Sequence, residues 1–224
     1  MRPAAFPDAL IVLAGGAGRR LGGVDKAEVR IGGRSLLERA LAAGAGRPTV
    51  VVGPPRDLPP GVLSAQEDPP GGGPAAGVVA GFAALRELLS RADGDEGVPA
   101  LVGILAVDQP GVGADTLRRL AEAVRAGHSA APHRPGGAVL VHRGRRQYAA
   151  GVFPVGALDW AVRQRRSWHG VALRSLVGGI VAAEVPAIGD EALDVDTDED
   201  LARWRSGCDA ADDGTGAAGL PPAR

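Results

Sequence analysis

The residues of this sequence best suited to chemistry on phosphate are a run of glycines, one lysine and two distant aspartates. The apolar run Leu10-Ile11-Val12-Leu13-Ala14 gives way to Gly15-Gly16-Ala17-Gly18-Arg19-Arg20-Leu21-Gly22-Gly23 and then to Val24-Asp25-Lys26-Ala27. Five glycines in nine residues allow positive φ and bring backbone N–H groups close to an anion. Arg19, Arg20 and Lys26 add fixed positive charge. Lys26 is the only lysine in the chain, so a compact ammonium stands where guanidinium serves everywhere else. A Walker loop requires Ser or Thr directly after its Gly-Lys, whereas Lys26 lies between Asp25 and Ala27. A Rossmann fingerprint beginning at Gly16 requires glycine at position 21, which is Leu. The turn is therefore a phosphate cradle of another kind.

Two carboxylates complete the set. Asp108 ends the unbroken apolar run Leu101-Val102-Gly103-Ile104-Leu105-Ala106-Val107, where a charge needs a partner. Mg²⁺, which takes one or two carboxylates plus phosphate oxygens and water, is a natural one. A turn aspartate before Pro110 is the alternative. Asp196, within Leu193-Asp194-Val195-Asp196-Thr197, is a second candidate ligand or else a helix cap. Asp68, after Gln66-Glu67, could accept from a base, a ribose or water, or simply turn the chain before Pro69. Arg143, Arg145 and Arg146 form one basic cluster and Arg163, Arg165 and Arg166 another. They could meet an acceptor's phosphate, and solvated charge is the simpler reading. His128, His133, His142 and His169 are scattered, and the one cysteine, Cys208, excludes a cysteine metal cluster or an intrachain disulfide.

The elements that must position these residues read as α/β. Leu10–Leu13, Thr49–Val52, Val62–Ala65 and the run to Val107 are strands, and the last suits a parallel strand covered on both faces. Ser35 and Glu38 form a capping box before a helix with Leu37, Ala40 and Leu41 on one side. Pro74 can open a helix bearing Val78, Phe82, Leu85 and Leu89. Another helix carries Leu117, Leu120, Ala121 and Val124. This alternation implies a single Rossmann-like, doubly wound, mostly parallel sheet whose strand ends share one edge, the place where such sheets bind ligands. Ala138–His142 and Tyr148–Phe153 flank the basic turn as a hairpin. Leu158 to Val162 and Val171 to Val177 suggest helices, Ile180–Val185 and Leu193–Val195 short strands, and Thr197 a cap for a last helix. Small polar residues from Ser206 onward predict a disordered tail, leaving one domain over residues 1–205.

At 224 residues the chain suits one domain of this kind. With 25 basic and 26 acidic residues its net charge is −1, which offers no footprint for nucleic acid or a membrane surface. The first apolar run is too short for a signal or a membrane span, so a cytoplasmic protein is expected.

The stretch Leu13-Ala14-Gly15-Gly16 with Arg19-Arg20-Leu21-Gly22-Gly23-Val24-Asp25-Lys26 resembles the signature of MobA-like nucleotidyltransferases, in particular the molybdenum cofactor guanylyltransferases. Glu67-Asp68, Gly73-Pro74, Asp108-Gln109-Pro110 and Asp194-Val195-Asp196-Thr197 extend the likeness over most of Leu10 to Trp204. It implies a fold of the nucleotide-diphospho-sugar transferase type with a small β-hairpin insertion. It also implies transfer of GMP from GTP to a molybdopterin cofactor, dependent on Mg²⁺. By position, Leu13, Ala14, Gly15, Gly16, Lys26, Asp68 and Asp108 would contact GTP, with Arg20, Lys26 and Asp108 catalytic and Asp108 and Asp196 toward the metal. A molybdopterin-delivery protein or a target molybdoenzyme would be a transient partner. Three positions depart from the family pattern. Gly53 stands at an asparagine position, Gln109 where Thr, Met or Leu is frequent, and Asp196 where Asn is usual. The last two resemble a cytidylyltransferase branch, whereas Gly15 matches the guanylyl form. A cytidylyl or sugar-phosphate nucleotidyltransferase is therefore the alternative enzyme, and a nucleotide-binding module without turnover the alternative class.

Overall fold

A computed structural model describes residues 5–15, 23–92, 99–130 and 136–212. The first strand, β1 (Ala9–Leu13), is flanked by β4 (Thr49–Val52) and β6 (Leu101–Ala106), both parallel to it. β5 (Leu63–Ala65) extends the sheet beyond β4. On the other side come β8 (Arg145–Pro154), β7 (Gly137–His142) and β9 (Val181–Pro186), giving the order β5-β4-β1-β6-β8-β7-β9. Only β8 runs against the rest. A separate ladder of β2 (Arg30–Ile31) and β3 (Arg34–Ser35) is the small hairpin.

Alternate residues of the central strands feed two apolar layers. Leu10, Val12 and Leu105 pack with α1 (Leu36–Ala43), α3 (Ala114–Ala130) and the start of α6 (Asp198–Asp212). Ile11, Val50 and Ile104 face α2 (Gly73–Ala92), α4 (Val155–Val162) and α5 (Leu173–Val177). Leu10, Ile11, Leu101 and Ile104 are fully buried, as a strand covered on both faces requires. Glycine sets the spacing of α2 on the sheet. A Cβ on Gly81 would lie 2.8 Å from side-chain atoms of Ile11 and Val52, so helix and sheet could not approach so closely with any larger residue. Ser35 caps α1 as its sequence requires, its hydroxyl accepting from Glu38 N at 3.0 Å while the Glu38 carboxylate accepts from Ser35 N at 2.6 Å.

Three local expectations are corrected. The hairpin around Arg143 is part of the main sheet, and its turn is only Arg143-Gly144, with φ of 49° and 74°. Paired positive φ matches the right-handed twist of the flanking strands, which frees Arg145 and Arg146 to join β8. Leu193–Val195 forms no strand, since it meets the sheet by a lone backbone bond, Val195 N to Asp108 O at 2.8 Å. α6 runs to Asp212, past the Ser206 at which order was expected to end, and the Ser206 hydroxyl donates back to Ala202 O within the helix. Residues 213–224 lie outside the described part. Among the described residues no helix is long and apolar enough to cross a membrane.

Candidate active site

The carboxyl ends of β1, β4, β5 and β6 open onto two adjoining crevices. The first, of about 610 Å³, is walled largely by small residues and prolines, among them Ala14, Gly15, Gly53, Gly73 and Gly77, with Asp25, Gln66 and Glu67 at its side. The second, of about 480 Å³, is walled by Lys26, Asp108, Gln109, Tyr148, Arg174 and Asp194. Leu13, Gly15 and Pro74 border both.

Lys26 lies at the heart of the second crevice. It begins a single 3₁₀ turn, Lys26–Glu28, whose N-cap is Asp25, the carboxylate accepting from Ala27 N at 3.0 Å. The ammonium donates to Asp108 Oδ2 at 3.2 Å and, in a shorter contact, to Asp196 Oδ1. With the Lys26 side chain 14 % exposed, burial alone would lower its pKa. The hydrogen bond to Asp196 and the charge of Asp108 outweigh that and raise it above the ordinary lysine value, so the group stays cationic. Asp108 reaches this place from the turn after β6, where Gln109 N bonds to Ala106 O at 3.3 Å. Asp196 reaches it because Val195 is bonded to the Asp108 carbonyl. Its chain direction is then fixed by Thr197, whose hydroxyl accepts from Asp200 N at 3.2 Å while the Asp200 carboxylate accepts from Thr197 N at 3.0 Å. A hydrogen bond from the Thr197 hydroxyl to the Asp200 carboxylate at 2.8 Å, with those from the Asp196 and Thr197 backbone N–H groups, holds the Asp200 carboxyl below its usual range against the effect of burial. Asp194 fares differently: burial, then repulsion from Asp108, pushes its carboxyl up, against a hydrogen bond from Gln109.

The first crevice depends on what is missing from side chains. A Cβ on Gly53 would stand 2.9 Å from the Ala14 carbonyl group and from Gly15 N. The asparagine of the family pattern cannot fit this backbone, and β4 is thereby able to lie directly against the start of the glycine turn. Beside Ala14 and Asp25 sits Arg56, its side chain 8 % exposed. Its Nη2 donates to Ala14 O at 3.1 Å, and its Nη1 lies 3.2 Å from Asp25 Oδ2.

Leu13, Ala14, Gly15, Lys26, Asp108 and Asp196 are thus brought to one edge. Gly16, Arg19 and Arg20 lie outside the described residues. Asp68 is exposed and does not line either crevice, whereas its neighbours Gln66 and Glu67 line the first. Arg146 pairs with Glu184 at 2.6 Å, Arg163 pairs with Asp159 at 2.7 Å, and the Arg165 guanidinium lies 5.4 Å from the Trp168 ring centre. These are surface contacts, and the arginine facing the second crevice is Arg174. Sequence reasoning missed Arg56, Arg174 and Tyr148. Arg56, a lone cation in a proline-rich stretch, offered a faint cue, and the other two offered none.

Among the described residues no three His, Cys, Asp or Glu side chains converge as a self-sufficient metal site. The Asp108 and Asp196 pair is a smaller set of hard oxygen donors, already gathered around a cation. That suits Mg²⁺, which completes its shell with phosphate and water, and does not suit a tightly held structural metal.

Comparison with known proteins agrees with this arrangement. The family model described as MobA-like NTP transferase domain matches residues 10–180. The molybdenum cofactor guanylyltransferase of Acidiphilium cryptum (strain JF-5) is 36% identical over 155 residues, which are 66% of this chain and 68% of that protein. Among solved structures, molybdopterin-guanine dinucleotide biosynthesis protein A from Archaeoglobus fulgidus superposes with a TM-score of 0.59 at 21% identity, over 90% of this chain and 99% of that one. The 2-C-methyl-D-erythritol 4-phosphate cytidylyltransferase from Thermus thermophilus gives 0.60 at 21% identity, over 91% and 99%. At these identities the two structures share the fold.

Proposed function

Since the chain belongs to the MobA-like NTP transferase family and is a nucleotidyltransferase, we propose that it transfers GMP from GTP to a molybdopterin-bound molybdenum cofactor, forming the guanine dinucleotide and pyrophosphate. The observation that carries this reading is the Lys26 ammonium held between Asp108 and Asp196 where a crevice walled largely by small residues meets a polar one. The guanylyl assignment rests on the Acidiphilium relative together with Gly15.

The nucleoside part lies in the first crevice and the acceptor in the second. A phosphate oxygen of the acceptor attacks the α-phosphorus, the bond from that phosphorus to the bridging oxygen breaks, and pyrophosphate leaves. No protein nucleophile or proton transfer is needed, so the protein's work is positioning and charge neutralisation. The glycine turn presents N–H groups to the phosphates, and Lys26 supplies a permanent positive charge. Asp108 and Asp196 would hold Mg²⁺, which when bound neutralises phosphate charge and polarises the reacting centre. Arg174 and Tyr148 face the acceptor. A molybdopterin-delivery protein or a molybdoenzyme would meet the chain at this open edge.

Cytidylyl transfer is the second reading, favoured by Gln109 and Asp196. Purified protein with Mg²⁺ and molybdopterin is expected to release pyrophosphate from GTP and to release little from CTP or without the pterin. Equal or faster release with CTP overturns the base assignment.

A further inference from the structure

Arg56 belongs to neither the glycine turn nor the carboxylate cluster, yet it touches Ala14 and Asp25, which flank that turn in sequence. It comes from the proline-rich stretch after β4, and only 8 % of its side chain is exposed. A guanidinium so enclosed needs partners, because burying charge without them costs several kcal/mol. Its Nη2 bonds to Ala14 O at 3.1 Å, where the turn leaves β1. Its Nη1 is 3.2 Å from Asp25 Oδ2, where the turn ends, as an ion pair out of line for a full hydrogen bond. The other Asp25 oxygen caps the 3₁₀ turn that begins at Lys26. One planar cation therefore grips the two feet of the phosphate-binding turn, and the second foot is the residue that sets the start of the Lys26 backbone.

We infer that Arg56 is a positioning residue for nucleotide transfer: it fixes the span between Ala14 and Asp25 and, through Asp25, the placement of the Lys26 ammonium. The inference deepens the transferase reading and rests on it. Gly53 makes the arrangement possible, since only a residue without Cβ lets β4 lie against Ala14 and Gly15, and so brings Arg56 within reach. The fork geometry matters as much as the charge. A lysine at this place offers a point charge that reaches one foot or the other, and a guanidinium spans both.

The test is a double-mutant cycle on GTP and CTP binding, read by calorimetry in Mg²⁺, with Arg56→Met, Arg56→Lys, Lys26→Met and the double variant Arg56→Met/Lys26→Met. Arg56→Met is expected to weaken binding of the preferred nucleotide on the order of tenfold to a hundredfold, the usual range for a residue that orients another. Arg56→Lys is expected to recover part of that loss. The double variant is expected to bind within about threefold of Lys26→Met alone, because a residue acting through Lys26 has nothing left to act through. A merely structural role predicts independent losses that multiply in the double variant, and that result overturns the inference. So does an Arg56→Met variant that binds like the parent protein. If Arg56→Met does not fold, the comparison of Arg56→Lys with Arg56→Lys/Lys26→Met decides by the same criterion. Parent protein that binds neither nucleotide removes the transferase reading itself, and the role of Arg56 with it, an outcome distinct from loss in the variants alone.

Discussion

The two crevices at the sheet edge are built from different materials. The first is walled largely by small residues such as Ala14, Gly15, Gly53, Gly73 and Gly77, with the polar Asp25, Gln66 and Glu67 beside them, and is shaped in good part by side chains that are absent. The second is walled by Lys26, Asp108, Gln109, Tyr148, Arg174 and Asp194, and is shaped by side chains that are present and charged or polar. Under the proposed function the difference would separate two tasks. Phosphates common to all nucleoside triphosphates would be met by N–H groups, which need close approach and tolerate no bulk. Charge compensation at the reacting centre needs groups of fixed sign at fixed places.

If this division holds, substitutions on the two sides should fail differently. The largest effect is expected at the carboxylate of the second crevice: Asp108→Ala should lower turnover by about a hundredfold to a thousandfold, comparable to removing a principal electrostatic group from other active sites. Thermal unfolding of the ligand-free protein should change little, since the side chain is partly exposed. Retention of more than about a tenth of the activity in a pyrophosphate-release assay would place the chemistry elsewhere.

Gly53→Asn tests the backbone side and should act mainly through space. Its Cβ would press on Ala14 and Gly15 at 2.9 Å, and overpacking of this kind costs about 1–3 kcal/mol. Stability and nucleotide affinity are expected to fall together, in contrast to Asp108→Ala. A Gly53→Asn variant with raised affinity and an unchanged melting temperature would show that the turn readily moves aside.

A smaller effect sharpens the comparison from behind the second crevice. Glu191 anchors the segment leading to Asp194 and Asp196, bonding Thr116 Oγ1 at 2.6 Å, Ile188 N at 2.7 Å and the Arg119 guanidinium. Burial alone would raise its pKa, but these hydrogen bonds and the Arg119 charge hold it below the ordinary value. A depressed carboxyl stabilises the folded state above the ordinary carboxylate range, and that contribution is lost as pH falls through the folded value. Glu191→Gln should therefore lose about 1–3 kcal/mol in urea unfolding at neutral pH, and the gap to the parent protein should close in acid. A gap that widens in acid would reverse the sign of the argument.

The two crevices were also unequally legible. The nearness of Gly15, Lys26 and Asp108 could be read because strand ends in a parallel sheet share an edge, a property of topology that local patterns reveal. Asp196 could be placed among candidates by its residue type, although Leu193–Val195, expected as a short strand, is none. What brings Asp196 in is a backbone bond to the Asp108 carbonyl, which no side-chain pattern encodes. Asp68 was singled out for its charge, while the crevice is lined by Gln66 and Glu67, a displacement too small for element boundaries to settle. Arg56 escaped because its enclosure comes from contacts to Ala14 and Asp25, distant in sequence. The antiparallel β8 brings Tyr148 beside the second crevice, and that neighbour relation is tertiary from the start.

The bond between Val195 N and the Asp108 carbonyl has a consequence for synthesis. Lys26 and Asp196 are 170 positions apart, so a chain leaving the ribosome exposes its glycine turn and first carboxylate long before the second arrives. Until residue 195 docks, Lys26 has only the first of its two carboxylate partners. The cluster is thus completed by one of the later stretches to be translated, and a shortened chain that stops before it would lack the second carboxylate.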